Sequence, residues 1–155
     1  MIVKNQYPIC EFDTSKNPII HPANFLTKSL PEKCVITYLG KELNQFVEEH
    51  KLPVIGYLNS EVFDIPIYEY VDGTERLCIT MALCGGPGAA VALEELHAMG
   101  CETFIVCGGA GTLINDSKVG EIVVPVSAIR DEGTSYHPPV KLNAIKRALR
   151  RLFHV

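Results

Sequence analysis

The sequence predicts an α/β domain built on a mixed β-sheet, and three observations carry that prediction. The stretch 77–113, LCITMALCGGPGAAVALEELHAMGCETFIVCGGAGTL, reads as strand, glycine turn, helix, strand and second glycine turn. Other short runs rich in β-branched residues, CVITY and VIGYL, flank a segment of helical spacing. Asp72-Gly73 separates two alternating arms as a tight hairpin turn does, so the sheet is not purely parallel.

Taken in order, residues 1–18 carry Pro8, Pro18 and a polar DTSKN patch, and predict an irregular entry segment. Ile19-Ile20 before His21-Pro22 reads as a short strand ending in a turn, and 28–33, with Pro31, as loop. Cys34 to Tyr38 is a strand ended by Gly40, and Lys41 to His50 a helix with Leu43, Phe46 and Val47 inward. Pro53 opens the strand Val54 to Leu58. The hairpin arms are Ile65 to Val71 and Glu75 to Leu83. After Gly85-Gly86-Pro87-Gly88, residues Ala89, Ala90, Val91, Ala92, Leu93, Leu96 and Met99 form a helical apolar stripe. Glu94 and Glu95 lean towards solvent, and Gly100 suits the left-handed residue that closes a helix.

Phe104 to Cys107 is the next strand, cut by Gly108-Gly109-Ala110-Gly111. Parallel strands joined by a helix cross over right-handed, which places both glycine turns at the carboxyl edge of one sheet, where open α/β sheets bind ligands. Ile114 to Lys118 reads as polar loop, Glu121 to Val124 as a further strand, and 127–139 as turn-rich. Val140 to Val155 predicts a helix with Leu142, Ile145, Leu149 and Leu152 on one face. With no repeat, low-complexity tract or linker, residues 1–155 read as one domain.

The hydrophobic fraction of 47% and charged fraction of 21% belong to a globular protein, and the net charge of −4 argues against a nucleic-acid binder. The basic cluster Lys141, Lys146, Arg147, Arg150 and Arg151 reads as a solvated helix face. No apolar run reaches membrane-spanning length. Ile2-Val3 is followed at once by Lys4, Asn5 and Gln6, so no signal pattern is visible. The six cysteines form no CxxC pair, which makes zinc ligation improbable and a reducing cytoplasm with free thiols the simplest setting.

The GGPG turn runs straight into a helix, where bare backbone amides and the helix amino terminus favour an anion. A plain strand-to-helix turn with nothing bound is equally compatible with that spacing. The turn matches neither the dinucleotide fingerprint nor the Walker loop. GGAG lets a flat ring or sugar come close, or lets a neighbouring element pack. Arg130 to His137 is the stretch densest in functional groups: Arg130 suits an anion and His137 titrates near neutrality, though each also reads as a solvated loop residue. Ser135 and His137 are too close in sequence to be presumed nucleophile and base. Cys84 and Cys107 stand beside the glycine turns, where the packing reading outweighs a reactive thiol.

GGPGAAVALEELHAMGCETFIVCGGAGTL, followed by VGEIVVPVSAIRDEGTSYH, resembles the nucleoside phosphorylase family, the branch of uridine phosphorylases, hexameric purine nucleoside phosphorylases and related nucleosidases. The resemblance is close over 77–137. It rests on the G-x-P turn, the LEEL helix, the glycine-rich strand end, the VG-[DE]-IVVP strand and the R-x-x-G-x-S-x-H loop, in that order. It implies a three-layer sandwich with a central mixed β-sheet flanked by helices. It also implies cleavage of an N-glycosidic bond by phosphate or, in nucleosidases, by water. No metal or organic cofactor is implied, only inorganic phosphate as co-substrate, and a homo-oligomer is expected. By position, Cys84, Gly85 and Gly86 match the turn lining ribose and phosphate. Gly108, Gly109, Ala110 and Gly111 match the turn touching phosphate and base, and Arg130 and His137 a loop near the pocket.

The chain departs from the family pattern in three places. Val106 stands where phosphorylases of this branch carry an arginine, and Gly109 where they carry a serine or threonine for phosphate. His21-Pro22-Ala23-Asn24 occupies the region of their amino-terminal phosphate loop. The family's later half, with its ribose-binding Met-Glu pair and its acidic residue for the base, is expected to be missing, so no catalytic residue is assigned. The resemblance implies a phosphorylase of the uridine type; a nucleosidase and a catalytically incomplete nucleobase-binding or assembly domain are the alternatives.

Overall fold

The computed structural model describes residues 2–13, 20–24, 30–60, 62–113, 115, 118–129 and 133–134. Its main sheet is five-stranded, in the order β4-β5-β6-β3-β7. The strands are β3 (Lys33–Thr37), β4 (Val54–Leu58), β5 (Ile65–Asp72), β6 (Glu75–Met81) and β7 (Thr103–Cys107). Helix α1 spans Gly40–His50 and α2 spans Gly86–Ala98. A separate antiparallel pair, β1 (Ile2–Val3) with β2 (Phe12–Asp13), lies in the segment the sequence predicts as irregular. Lys4 and Glu11 hold its ends together by an ion pair of 2.9 Å, a long-range contact that no local pattern announces.

β3 runs parallel to both β6 and β7, while β4-β5-β6 is an antiparallel meander, which leaves β4 parallel to β3. The two helical crossovers therefore travel in opposite directions. β3 passes through α1 to β4 on one side, and β6 passes through α2 to β7 on the other. Right-handed crossovers that move in opposite directions place their helices on opposite faces.

Side-chain alternation agrees with this placement. Phe46 of α1 meets Tyr70 edge-on with ring centroids 5.2 Å apart, and Gly40 lies against the Met81 side chain. The opposite face carries Cys34, Ile36, Ile65, Ile67 and Cys78, buried in one cluster with Ala92, Leu96 and Met99 of the α2 segment. The sheet is thus the middle of three layers, as the sequence implies, although β3 intervenes between the two strands that α2 joins.

Local signals explain the element ends. Gly73, at φ +60°, turns the β5–β6 hairpin, and the pairing of Asp72 with Glu75 makes Gly73-Thr74 the loop, one residue later than the sequence predicts. α2 ends as a Schellman motif: Gly100 N–H donates to His97 at 3.1 Å, Cys101 N–H donates to Leu96 at 2.9 Å, and Gly100 sits at φ +115°. α1 ends the same way, but with Lys51 at φ +50° in the glycine position.

Two sequence expectations are corrected. Glu121 to Val124 carries the β-branched pattern of a strand yet forms no ladder; Ile122 is 92% exposed. A strand exists only where a neighbour supplies its hydrogen bonds, and among the described residues β7 pairs with β3 alone. Ile20 is an exposed bend and Pro22–Asn24 a single 3-10 turn packed on α2, so no strand ends there. Ile19 and the carboxyl-terminal segment 140–155 lie outside the described residues.

Two stability outcomes follow. Gly100→Ala forces a side chain into the left-handed region and is expected to cost about 1–2 kcal/mol, whereas Lys51→Gly relieves the same strain and gains up to about 1 kcal/mol. Urea unfolding midpoints read both. Glu95, half-buried on α2, has its carboxyl pushed above the ordinary value of 4.5 by burial. The folded state then binds the proton more tightly than the unfolded state, so stability falls as pH rises from about 4.5 through the raised value. Glu95→Gln should therefore raise the urea midpoint at pH 7 and leave it unchanged below the ordinary glutamate range. An equal gain at both ends would contradict the burial effect.

Candidate functional site

The three parallel strands end level, with Thr37 facing Met81 on one side and Cys107 on the other. The ladder runs one step further: Ala82 N–H donates to the Thr37 carbonyl at 2.8 Å, and Tyr38 N–H to the Cys107 carbonyl at 2.9 Å. Beyond this line the chains part. Leu39 N–H donates to Thr37 Oγ1 at 3.0 Å and the chain turns towards α1, while Ala82 to Gly85 leads to α2 on the other face. Adjacent strands whose connections leave on opposite faces open a crevice at their carboxyl ends, and here that switch point lies between β3 and β6.

The glycines of the first turn do different work. Gly85, at φ +86°, is the residue that caps α2 and has no side chain to occupy the capping position. Pro87 fills the first turn of the helix, where its missing N–H costs nothing. Gly88 lies so close to Leu83 that an added Cβ would stand 2.9 Å from the Leu83 Cβ. The turn thus presents the amides that begin α2, at the positive end of a 13-residue helix, with no acidic residue in that helix turn. Cys84, just before it, is an exposed free thiol.

The second turn meets the first through Tyr38, which sequence reasoning placed in a strand and did not single out. A Cβ built on Gly108 would lie 3.1 Å from the Tyr38 Cβ, and the Tyr38 hydroxyl donates to the Leu83 carbonyl at 3.3 Å. One side chain, 44% exposed, thereby touches the second turn and the strand end that leads into the first. Its signal in the sequence is only an aromatic residue at the end of a strand, which becomes informative once that strand is known to lie between the other two. Among the described residues nothing lies within 4 Å of a Cβ built on Gly109 or Gly111, and Ala110 is exposed, so none of them covers this backbone. Val106 is exposed on β7.

Beside the first turn, on the α1 side, lies a cleft of about 420 Å³ whose lining includes Leu43, Asn44, Asp64, Tyr68, Met81 and Cys84. Asn44, Asp64 and Tyr68 supply its polar groups; sequence reasoning missed all three, because they come from three separate segments. Of the sequence-predicted residues, Cys84 to Gly86 and Gly108 to Gly111 therefore share one sheet edge. Arg130 and His137 lie outside the described residues. A Cβ built on Gly133, between them, would lie 3.8 Å from the Ile9 side chain, so this residue approaches the amino-terminal turn Pro8–Cys10.

Residues 32–154 match the model of the phosphorylase superfamily, and the chain belongs to that family. It is 48% identical over 64 residues to a guanosine phosphorylase of Halorubrum lacusprofundi, covering 41% of this chain and 26% of that protein. It is 33% identical over 94 residues to a uridine phosphorylase of Thermococcus kodakarensis (57% of this chain, 34% of that protein). A uridine phosphorylase of Treponema pallidum is 40% identical over 83 residues (50% and 32%). Among solved structures, uridine phosphorylase from Vibrio fischeri superposes with a TM-score of 0.55 at 24% identity, over 74% of this chain and 46% of that one, a likeness of fold. The chain thus spans less than half the length of the relatives it matches.

The glycine roles predict separable outcomes. Gly88→Ala drives a methyl into Leu83 and is expected to cost about 1–2 kcal/mol after its gain in helix propensity. Gly109→Ala enters space open among the described residues and should change stability by less than about 0.5 kcal/mol. Chemical denaturation of both variants checks the contrast.

Proposed function

We propose that this chain carries the nucleophile- and pentose-binding part of a nucleoside phosphorylase site, performing reversible phosphorolysis of an N-glycosidic bond to a free base and a pentose 1-phosphate. The observation that carries the reading is the amino terminus of α2, without a side-chain cap among the described residues, opening at the switch point between β3 and β6 beside a second glycine turn whose backbone none of the described residues covers. Backbone donors and a helix dipole together suit an anion such as phosphate. The names of the relatives support the class, and the uridine phosphorylases among them favour uridine over guanosine.

In this reading the bond from C1′ to the base nitrogen breaks as a phosphate oxygen bonds to C1′, and the departing base takes up a proton. Positive charge develops on the sugar, so a held phosphate stabilises the transition state and is also the nucleophile. Cys84, Gly85 and Gly86 line pentose and phosphate, Gly108 to Gly111 border phosphate and base, and Arg130 and His137 add polar contacts from the following loop. Phosphate is a co-substrate, and no metal or organic cofactor enters the reaction. The protein works as a cytoplasmic homo-oligomer whose partners are nucleoside and phosphate, not nucleic acid or membrane. No helix among the described residues is long and apolar enough to cross a membrane.

Val106 favours a second reading, hydrolysis by water, because an exposed valine offers phosphate no charge-assisted bond. The deciding experiment incubates the full chain with uridine, guanosine and adenosine, with and without phosphate. Base release that requires phosphate supports phosphorolysis, and equal release without it sinks that reading in favour of a nucleosidase. Calorimetric binding of a base without any turnover would assign an incomplete nucleobase-binding domain. Gly109→Ala, neutral for stability, should reduce turnover at least about tenfold if the bare turn meets substrate.

A further inference from the structure

Three of the six cysteines converge in the core, away from the glycine turns. Cys34 and Cys78 are lateral partners on the parallel strands β3 and β6, and Cys101 follows the Schellman turn that ends α2. All three are free thiols at 2%, 0% and 0% exposure. Their sulfurs lie within 4.8 Å of one another, with Cys78 and Cys101 only 3.6 Å apart. A planar three-coordinate ion with metal–sulfur bonds of about 2.3 Å sets its sulfurs about 4.0 Å apart, so the triangle already has the size of such a site.

We propose that Cys34, Cys78 and Cys101 form a buried three-sulfur site for a thiophilic d10 cation, and that Cu(I) is the ion it fits. Soft thiolates select Cu(I) and zinc over harder ions. Coordination number separates those two. Structural zinc takes four ligands, and among the described residues no imidazole or carboxylate joins the three sulfurs. His97, the nearest imidazole in sequence, directs Nδ1 at the Cys101 carbonyl, 3.0 Å away, rather than at its sulfur.

Cu(I) held by two of the three sulfurs as thiolates, with the third thiol as a neutral donor, displaces two thiol protons to solvent. The site lies near the start of β3 and at the middle of β6, so the ion would tie these strands to the α2–β7 junction without entering the crevice.

The test uses the full chain with Cys10→Ser, Cys84→Ser and Cys107→Ser, so that the only thiols left are those of the cluster. The protein is titrated anaerobically with Cu(I) against a chromogenic Cu(I) chelator, and X-ray absorption counts the ligands. The expected result is one Cu(I) retained per chain, bound by three sulfurs, and its loss in Cys78→Ser. A folded protein, by circular dichroism, that yields all its copper to the chelator overturns the proposal. So does copper bound without three sulfurs, or preferential retention of zinc with four ligands. If Cys78→Ser does not fold, the sulfur count on the background protein still decides.

Discussion

The structure depends on one constraint, the handedness of two crossovers that leave neighbouring parallel strands in opposite directions. β3 leads through α1 to the far edge strand β4, and β6 leads through α2 past β3 to β7. Each connection is right-handed only if its helix lies on its own face of the sheet. From that follow the three layers, the burial of Ile67, Cys78 and Leu96 on one side, and the contact of Phe46 with Tyr70 on the other. The crevice at the carboxyl edge needs no additional device. It is the space left where the backbone after Tyr38 and the backbone after Leu83 turn away from each other.

That geometry sorts the glycines by cause. Gly85 is required by its positive φ, Gly88 by the approach of Leu83, and Gly108 by the ring of Tyr38. Among the described residues, Gly109 and Gly111 are required by neither backbone conformation nor a neighbour. Glycine in such a place costs conformational entropy without a folding return, and close approach of a ligand to the backbone is the physical reason that fits it. The distinction matters because a substitution at Gly88 disturbs the fold and the site together, while one at Gly109 reaches the site alone.

What was legible in the sequence was local. The bounds of β4, the hairpin around Gly73, the Gly100 helix end and the apolar stripe of α2 are set by residues within a few positions of one another, and each is recovered. What was not legible depends on pairing between distant segments. CVITY reads as a strand, but nothing in it says that it lies between the two strands α2 connects, or that Tyr38 links Gly108 to Leu83. Glu121 to Val124 has the same β-branched character as β4 and lacks the neighbour that would make it a strand. Spacing also argued against a metal, because it tests for ligands close in sequence. Cys34, Cys78 and Cys101 share no short motif and meet only through strand register.

Register also decides how the two candidate sites relate. Cys34 faces Cys78 near the start of the parallel ladder, and Thr37 faces Met81 at its end, three residues or about 10 Å further along. A cation on the thiols therefore acts on the alignment of β3 with β6, and reaches the crevice only through that alignment. The glycine turns lie beyond the last ladder bonds and contribute little to strand order. Disturbing the sulfur triangle should loosen the base of the crevice and its ligand site together, whereas disturbing the bare turns should silence the ligand site over an intact sheet. Because the same two strands carry both features at opposite ends, the failure of one assignment leaves the evidence for the other untouched.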